Sequence, residues 1–97
     1  MKNNPEPLRP NIRVDWVGTV DQGRRLEISA EFNNTAYELL SVVADEIDES
    51  LWVEFFVEGK CLQIPFHVLA DAVKISPEGV HSEAWYAQHV YSKQDNA

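Results

Sequence analysis

The chain has 97 residues, 44% of them hydrophobic and ten aromatic, with a formal net charge of −8. That is enough apolar side chain for one folded core, and it excludes wholesale disorder. Acid in this excess repels nucleic acid and anionic membranes and favours a cationic partner.

The acid is unevenly spread. Lys2, Arg9, Arg13, Arg24 and Arg25 leave the first 25 residues at +2, whereas from Leu26 onward thirteen Asp/Glu face three Lys/Arg. Cys61 is the only cysteine, so no intrachain disulfide forms, which suits a reducing compartment. The first residues lack the apolar segment of a signal peptide, and no apolar run nears the roughly 20 residues of a membrane span. Asn33-Asn34-Thr35 matches a glycosylation sequon that is idle without secretion. The expected location is the cytoplasm.

Residues 1–11, with Pro5, Pro7 and Pro10, read as a flexible lead-in. From Ile12 the pattern alternates: Ile12, Val14, Trp16 and Val20 take one side, and Arg13, Asp15, Val17 and Thr19 the other. A turn at Asp21-Gln22-Gly23 leads to Leu26, Ile28, Ala30 and Phe32, alternating with Arg25, Glu27, Ser29 and Glu31. These segments predict a β-hairpin whose second strand presents acids on one face. Arg24 and Arg25 are expected to pair with acids on neighbouring strands, such as Glu27 or Glu54.

Thr35 and Glu38 have capping-box spacing, and Leu39, Leu40, Val43, Ala44 and Ile47 follow at helical spacing. A helix is therefore predicted from Thr35, with Asp45, Glu46, Asp48 and Glu49 crowding its C-terminal end. Acid there opposes the helix dipole, so local structure would not account for the cluster. Leu51 to Val57 reads as a strand, Glu58-Gly59-Lys60 as a turn, and Cys61 to Pro65 as a strand that Pro65 ends. Phe66 to Ile75 has helical spacing, Ser76-Pro77-Glu78-Gly79 breaks it, and Ser82 to about Ser92 reads as a last helix. Residues 93–97 are expected to fray.

The expected fold is α+β: an antiparallel sheet of about four strands in two hairpins, with two or three helices packed on it in the order ββαββαα. Residues 12–92 would form a single compact domain.

Catalytic motifs are missing. The chain has no Gly-rich phosphate loop, no HExxH and no paired CxxC. The segment Asp45 to Ser50 lacks the turn glycine of a calcium loop. His81 and His89, eight residues apart on a continuous helix, would stand about 12 Å apart, too far to share a metal. Cys61 and His67 are separated by the Pro65 break. No enzyme activity, catalytic residue, metal or cofactor is expected, nor direct nucleic-acid binding.

The informative constellation is on the third predicted strand. Leu51, Val53, Phe55 and Val57 point one way, while Trp52, Glu54, Phe56 and Glu58 alternate aromatic and acid on the other. Glu27 and Glu31 would join that second face, with Asp45, Glu46, Asp48 and Glu49 as its rim. Aromatic anchors beside carboxylates suit a surface that grips a cationic protein. The competing reading buries Trp52 and Phe56 under the last helix, against Trp85 or Tyr86.

Size and charge, by analogy alone, point to an immunity protein that occludes a basic, nuclease-type bacterial toxin. Mimicry of DNA toward a restriction or repair enzyme is a variant of this. The alternative is a non-catalytic adaptor or a homodimerising subunit, and a small-molecule-binding domain is the least favoured.

Overall fold

The structure is a computed structural model that describes residues 5–19, 21 and 23–91. The expected frayed C-terminus lies outside the described residues, as do residues 1–4 of the lead-in. The chain divides into two compact units, Met1–Phe66 and His67–Ala97. It is α+β, with the strands in the first unit and the helical turns in the second.

The first unit is a five-stranded antiparallel meander: β1 (Asn11–Thr19), β2 (Gly23–Phe32), β3 (Thr35–Ala44), β4 (Leu51–Val57) and β5 (Lys60–Pro65), side by side in chain order. Residues 5–10 precede it without regular structure. β1, β2, β4 and β5 fall within one or two residues of the alternation that predicts them.

The connections explain the tight meander. β2 and β3 are joined by Asn33 (φ 53°) and Asn34 (φ 57°), and β4 and β5 by Glu58 (φ 53°) and Gly59 (φ 76°). Two consecutive left-handed residues make the two-residue hairpin turn whose twist matches that of the strands, and Asn tolerates that conformation best after Gly. Gly18 (φ 99°) is required for another reason. A Cβ there would lie 2.3 Å from the Gly23 carbonyl oxygen.

The helix expected from Thr35 does not exist; β3 occupies its place. Leu40 pairs with Ile28 and Glu38 with Ser29, which leaves Leu39 as an extra residue in a β-bulge. The bulge shifts the alternation by one, so Tyr37 and Leu40 share a face three residues apart. That spacing mimics a helical stripe. Instead of a capping box, Glu38 accepts a 2.8 Å hydrogen bond from Ser41 Oγ. The resulting order is five strands followed by helices.

Cross-strand partners share a face, so the pairings sort the whole sheet. Ile12, Val14, Trp16, Leu26, Ile28, Ala30 and Phe32 lie on one face with Tyr37, Leu40, Val42, Leu51, Val53, Phe55, Leu62 and Ile64. Arg13, Asp15, Arg25, Glu27, Glu31, Glu38, Ser41, Trp52, Glu54, Phe56 and Gln63 lie on the other. The best-buried positions sit mid-sheet: Ala30 and Val53 on the apolar face, Ser41 on the polar one. Ser41 is a buried polar residue, and its bond to Glu38 satisfies its hydroxyl.

In the second unit, α1 (Phe66–Ile75) has the predicted bounds and carries Lys74 in its last turn, where the dipole favours it. A 3₁₀ turn at Ser76–Glu78 follows. α2 (Glu83–Tyr86) starts at Ser82, whose hydroxyl accepts the Trp85 amide at 3.0 Å, and continues as a π-helical turn over Ala87–Tyr91. The Trp85 indole is clamped between His81 (3.7 Å, 9° between planes) and His89 (4.4 Å, 11°), with Tyr86 edge-on.

Candidate acidic–aromatic face

The polar face of the sheet gathers Glu27, Glu31, Trp52, Glu54 and Phe56 as their alternation predicts. One lateral row runs Asp15, Glu27, Ser41, Glu54, Gln63 across all five strands. Glu38 belongs to this face too, and the sequence reading missed it by assigning it to a helix cap. An alternating reading of Ala36 and Glu38 would have found it.

The charges on this face are not equally free. Arg25 Nη2 stands 3.1 Å from Glu27 Oε2, an intrachain pair of the kind expected. Arg13 Nε lies 3.6 Å from Asp15 Oδ2. Glu38 and Glu54 are held by neutral donors, Ser41 Oγ at 2.8 Å and Gln63 Nε2 at 2.9 Å, rather than by a described Lys or Arg. Glu31 is exposed. Negative charge is therefore concentrated at Glu31, Glu38 and Glu54. Arg24 is turned to the opposite face, its guanidinium 4.7 Å from the Trp16 ring centre.

Phe56 is 60% exposed, so it is not a core residue. Trp52 is half-buried, flanked by Val43 and Pro65 on the adjacent strands. Its indole Nε1 donates to Ser50 Oγ at 2.9 Å, and that hydroxyl donates to Asp48 Oδ1 at 2.6 Å. The anchor is thus fixed by the loop that precedes it.

That loop, residues 45–50, changes the meaning of the acid cluster. No helix ends here, so no dipole is opposed. Asp45 Oδ1 accepts the amides of Ile47 (2.8 Å) and Asp48 (3.3 Å), and Asp48 Oδ1 accepts the Ser50 amide at 3.0 Å. Short acids that capture amides two or three residues on are turn-builders. The Ser50 hydroxyl and amide hold the Asp48 carboxyl below its ordinary pKa. Asp45 and Asp48 are therefore explained by local structure, whereas Glu46 and Glu49 project from the loop exposed.

The predicted residues form one face and two ends. Asp45 to Glu49 lie at the end of the sheet that carries the β1–β2 connection, and Glu58 sits in the hairpin turn at the opposite end. Near the first end, Val17, Asp21, Arg25, Val43, Glu46 and Glu49 line an open cleft of about 590 Å³. Its charges are of both signs. An apolar hollow of about 300 Å³, lined by Trp16, Leu26, Val42, Leu51 and Phe66, lies on the other face.

Cys61 pairs with Phe56 at the margin of the acid face. Desolvation, and then the Glu54 carboxylate, push its thiol pKa up. Among the described residues no group of three His, Cys, Asp or Glu converges to hold a metal ion, and no helix is long and apolar enough to cross a membrane. No protein-family model matches the chain, and neither a curated protein nor a solved structure matches it.

Proposed function

We propose that this chain docks on a basic partner protein and neutralises it, in the manner of a cytoplasmic immunity protein that occludes a nuclease-type bacterial toxin. The observation that carries this reading is the acid of Glu31, Glu38 and Glu54, in no ion pair among the described residues, on the same sheet face as Trp52 and the exposed Phe56. In this mechanism the carboxylates take the place of phosphates before the partner's Lys and Arg, and Phe56 supplies the apolar anchor. Glu46 and Glu49 extend the field at one end, and the net charge of −8 steers the encounter.

A direct test is co-expression with any basic domain that an adjacent gene is found to encode and that is toxic when expressed alone. The expected outcome is restored growth with this chain, lost when Glu31 and Glu54 are both replaced by Lys. Equal rescue by the wild type and the double variant would refute occlusion by this face.

The second reading, a homodimerising or adaptor subunit, is favoured by a different observation: the opposite, apolar face keeps Trp16, Val14, Ile12, Leu51 and Leu62 exposed.

A further inference from the structure

We infer that two copies of this chain join edge to edge through β1, antiparallel about a two-fold axis at Val14, into one sheet of twice five strands. β1 and β5 are the two edges of the meander, and they differ in how they treat a neighbour. β5 is six residues long and ends in Pro65, the short proline-terminated edge that discourages pairing. β1 runs nine residues without a proline. Such an edge is a template for another strand.

The sequence of β1 is complementary to itself. With the axis at Val14, Ile12 meets the partner's Trp16, Arg13 meets the partner's Asp15, and Val14 meets the partner's Val14. The paired window runs from Asn11 to Val17, with Pro10 just beyond one end and Gly18 just beyond the other. Faces are preserved, so apolar side chains meet apolar ones and both charge pairs lie on the acid face. Moving the axis by one residue, to Arg13 or Asp15, would set like charges opposite each other, which selects the register.

Two observations within one chain favour this occupant. Asp15 lies directly opposite Glu27; each already has an arginine of its own chain, Arg13 at 3.6 Å and Arg25 at 3.1 Å, and a second copy's Arg13 would approach Asp15 from its open side. Ile12, Val14 and Trp16 are 54%, 57% and 65% exposed, three consecutive apolar side chains of one strand. A second strand paired with β1 would cover part of that exposed apolar surface.

The inference deepens the homodimer reading above and is independent of docking on a basic partner, because its contacts lie along the β1 edge and involve none of Glu31, Glu38 and Glu54. Sedimentation equilibrium at micromolar concentration is expected to give twice the 11.1 kDa chain mass. Arg13→Asp and Asp15→Arg each set like charges across the axis and weaken the dimer by on the order of tenfold or more. The two changes move net charge in opposite directions, so repulsion by total charge cannot explain both losses. The double variant restores opposite signs and the dimer. Val14→Lys, which meets its own copy on the axis, gives a monomer whose circular dichroism and melting show an intact sheet. A wild-type monomer at all concentrations, single variants that dimerise normally, or a double variant that stays monomeric would each overturn the proposal.

Discussion

The two faces of the sheet are cut from the same five strands and do opposite things with their side chains. The apolar face holds the buried centre, Ala30 and Val53, and loses order of burial outward until Trp16 stands 65% exposed at the edge. The acid face buries little but Ser41, and its polar groups are bonded locally: Arg25 to Glu27, Ser41 to Glu38, Gln63 to Glu54. One face supplies the stability. The other carries the charged groups, Glu31 and Glu38 among them exposed.

The sharpest way to break that contrast is to truncate one residue on each face of β4. Val53→Ala is expected to cost about 2 kcal/mol in denaturant unfolding, because a fully buried valine loses its contacts and leaves a cavity. Phe56→Ala, on the exposed side three residues away, should cost less than about 0.5 kcal/mol. Comparable losses would mean that the acid face is also core.

A second test separates turn-building acid from free acid. Asp48→Ala removes the acceptor of the Ser50 amide and hydroxyl and so frees the Trp52 indole. A drop in stability is expected, with a change in tryptophan near-ultraviolet dichroism. Glu46→Ala, two residues away and exposed, should change neither. The pH dependence follows the same residue. The Asp48 pKa is lowered in the folded chain, so its stabilisation is present above the ordinary value of 3.8 and disappears as pH falls below it. Asp48→Asn should flatten that part of the acid-unfolding curve.

A third change is expected to stabilise. Glu58 occupies a left-handed turn position at φ 53°. Glu58→Asn gives the Asn-Gly pair such turns prefer and should add roughly 0.5–1 kcal/mol. The smallest effect is chemical: the raised Cys61 pKa predicts slow alkylation near neutral pH, and Glu54→Gln, which removes one cause, should speed it modestly.

Most of the sheet was legible because its signals are local. Alternation defines β1, β2 and β4, the Pro65 stop ends β5, and the spacing of Phe66, Leu69, Ala70 and Val73 defines α1. The aromatic–acid alternation of Trp52, Glu54, Phe56 correctly gave one face of β4. β3 was illegible for a definite reason: the extra Leu39 breaks the period of two and leaves a stripe with helical spacing. That error carried two others with it. A capping role for Glu38 removes it from the acid face, and acids at a helix end call for a partner, whereas Asp45 and Asp48 cap the turn amides beside them. The Asn33-Asn34 pair was the available signal, since two left-handed residues between apolar runs mark a hairpin.

The most direct measurement is affinity capture at low salt, using as baits the wild type, the Glu31→Lys/Glu54→Lys variant of the acid face and a Leu62→Lys variant of the apolar face. If carboxylates beside Phe56 receive the partner, one basic protein is retained by the wild-type and Leu62→Lys baits, elutes as salt rises, and is missing from the acid-face variant. Retention that ignores salt and survives reversal of Glu31 and Glu54 would contradict it.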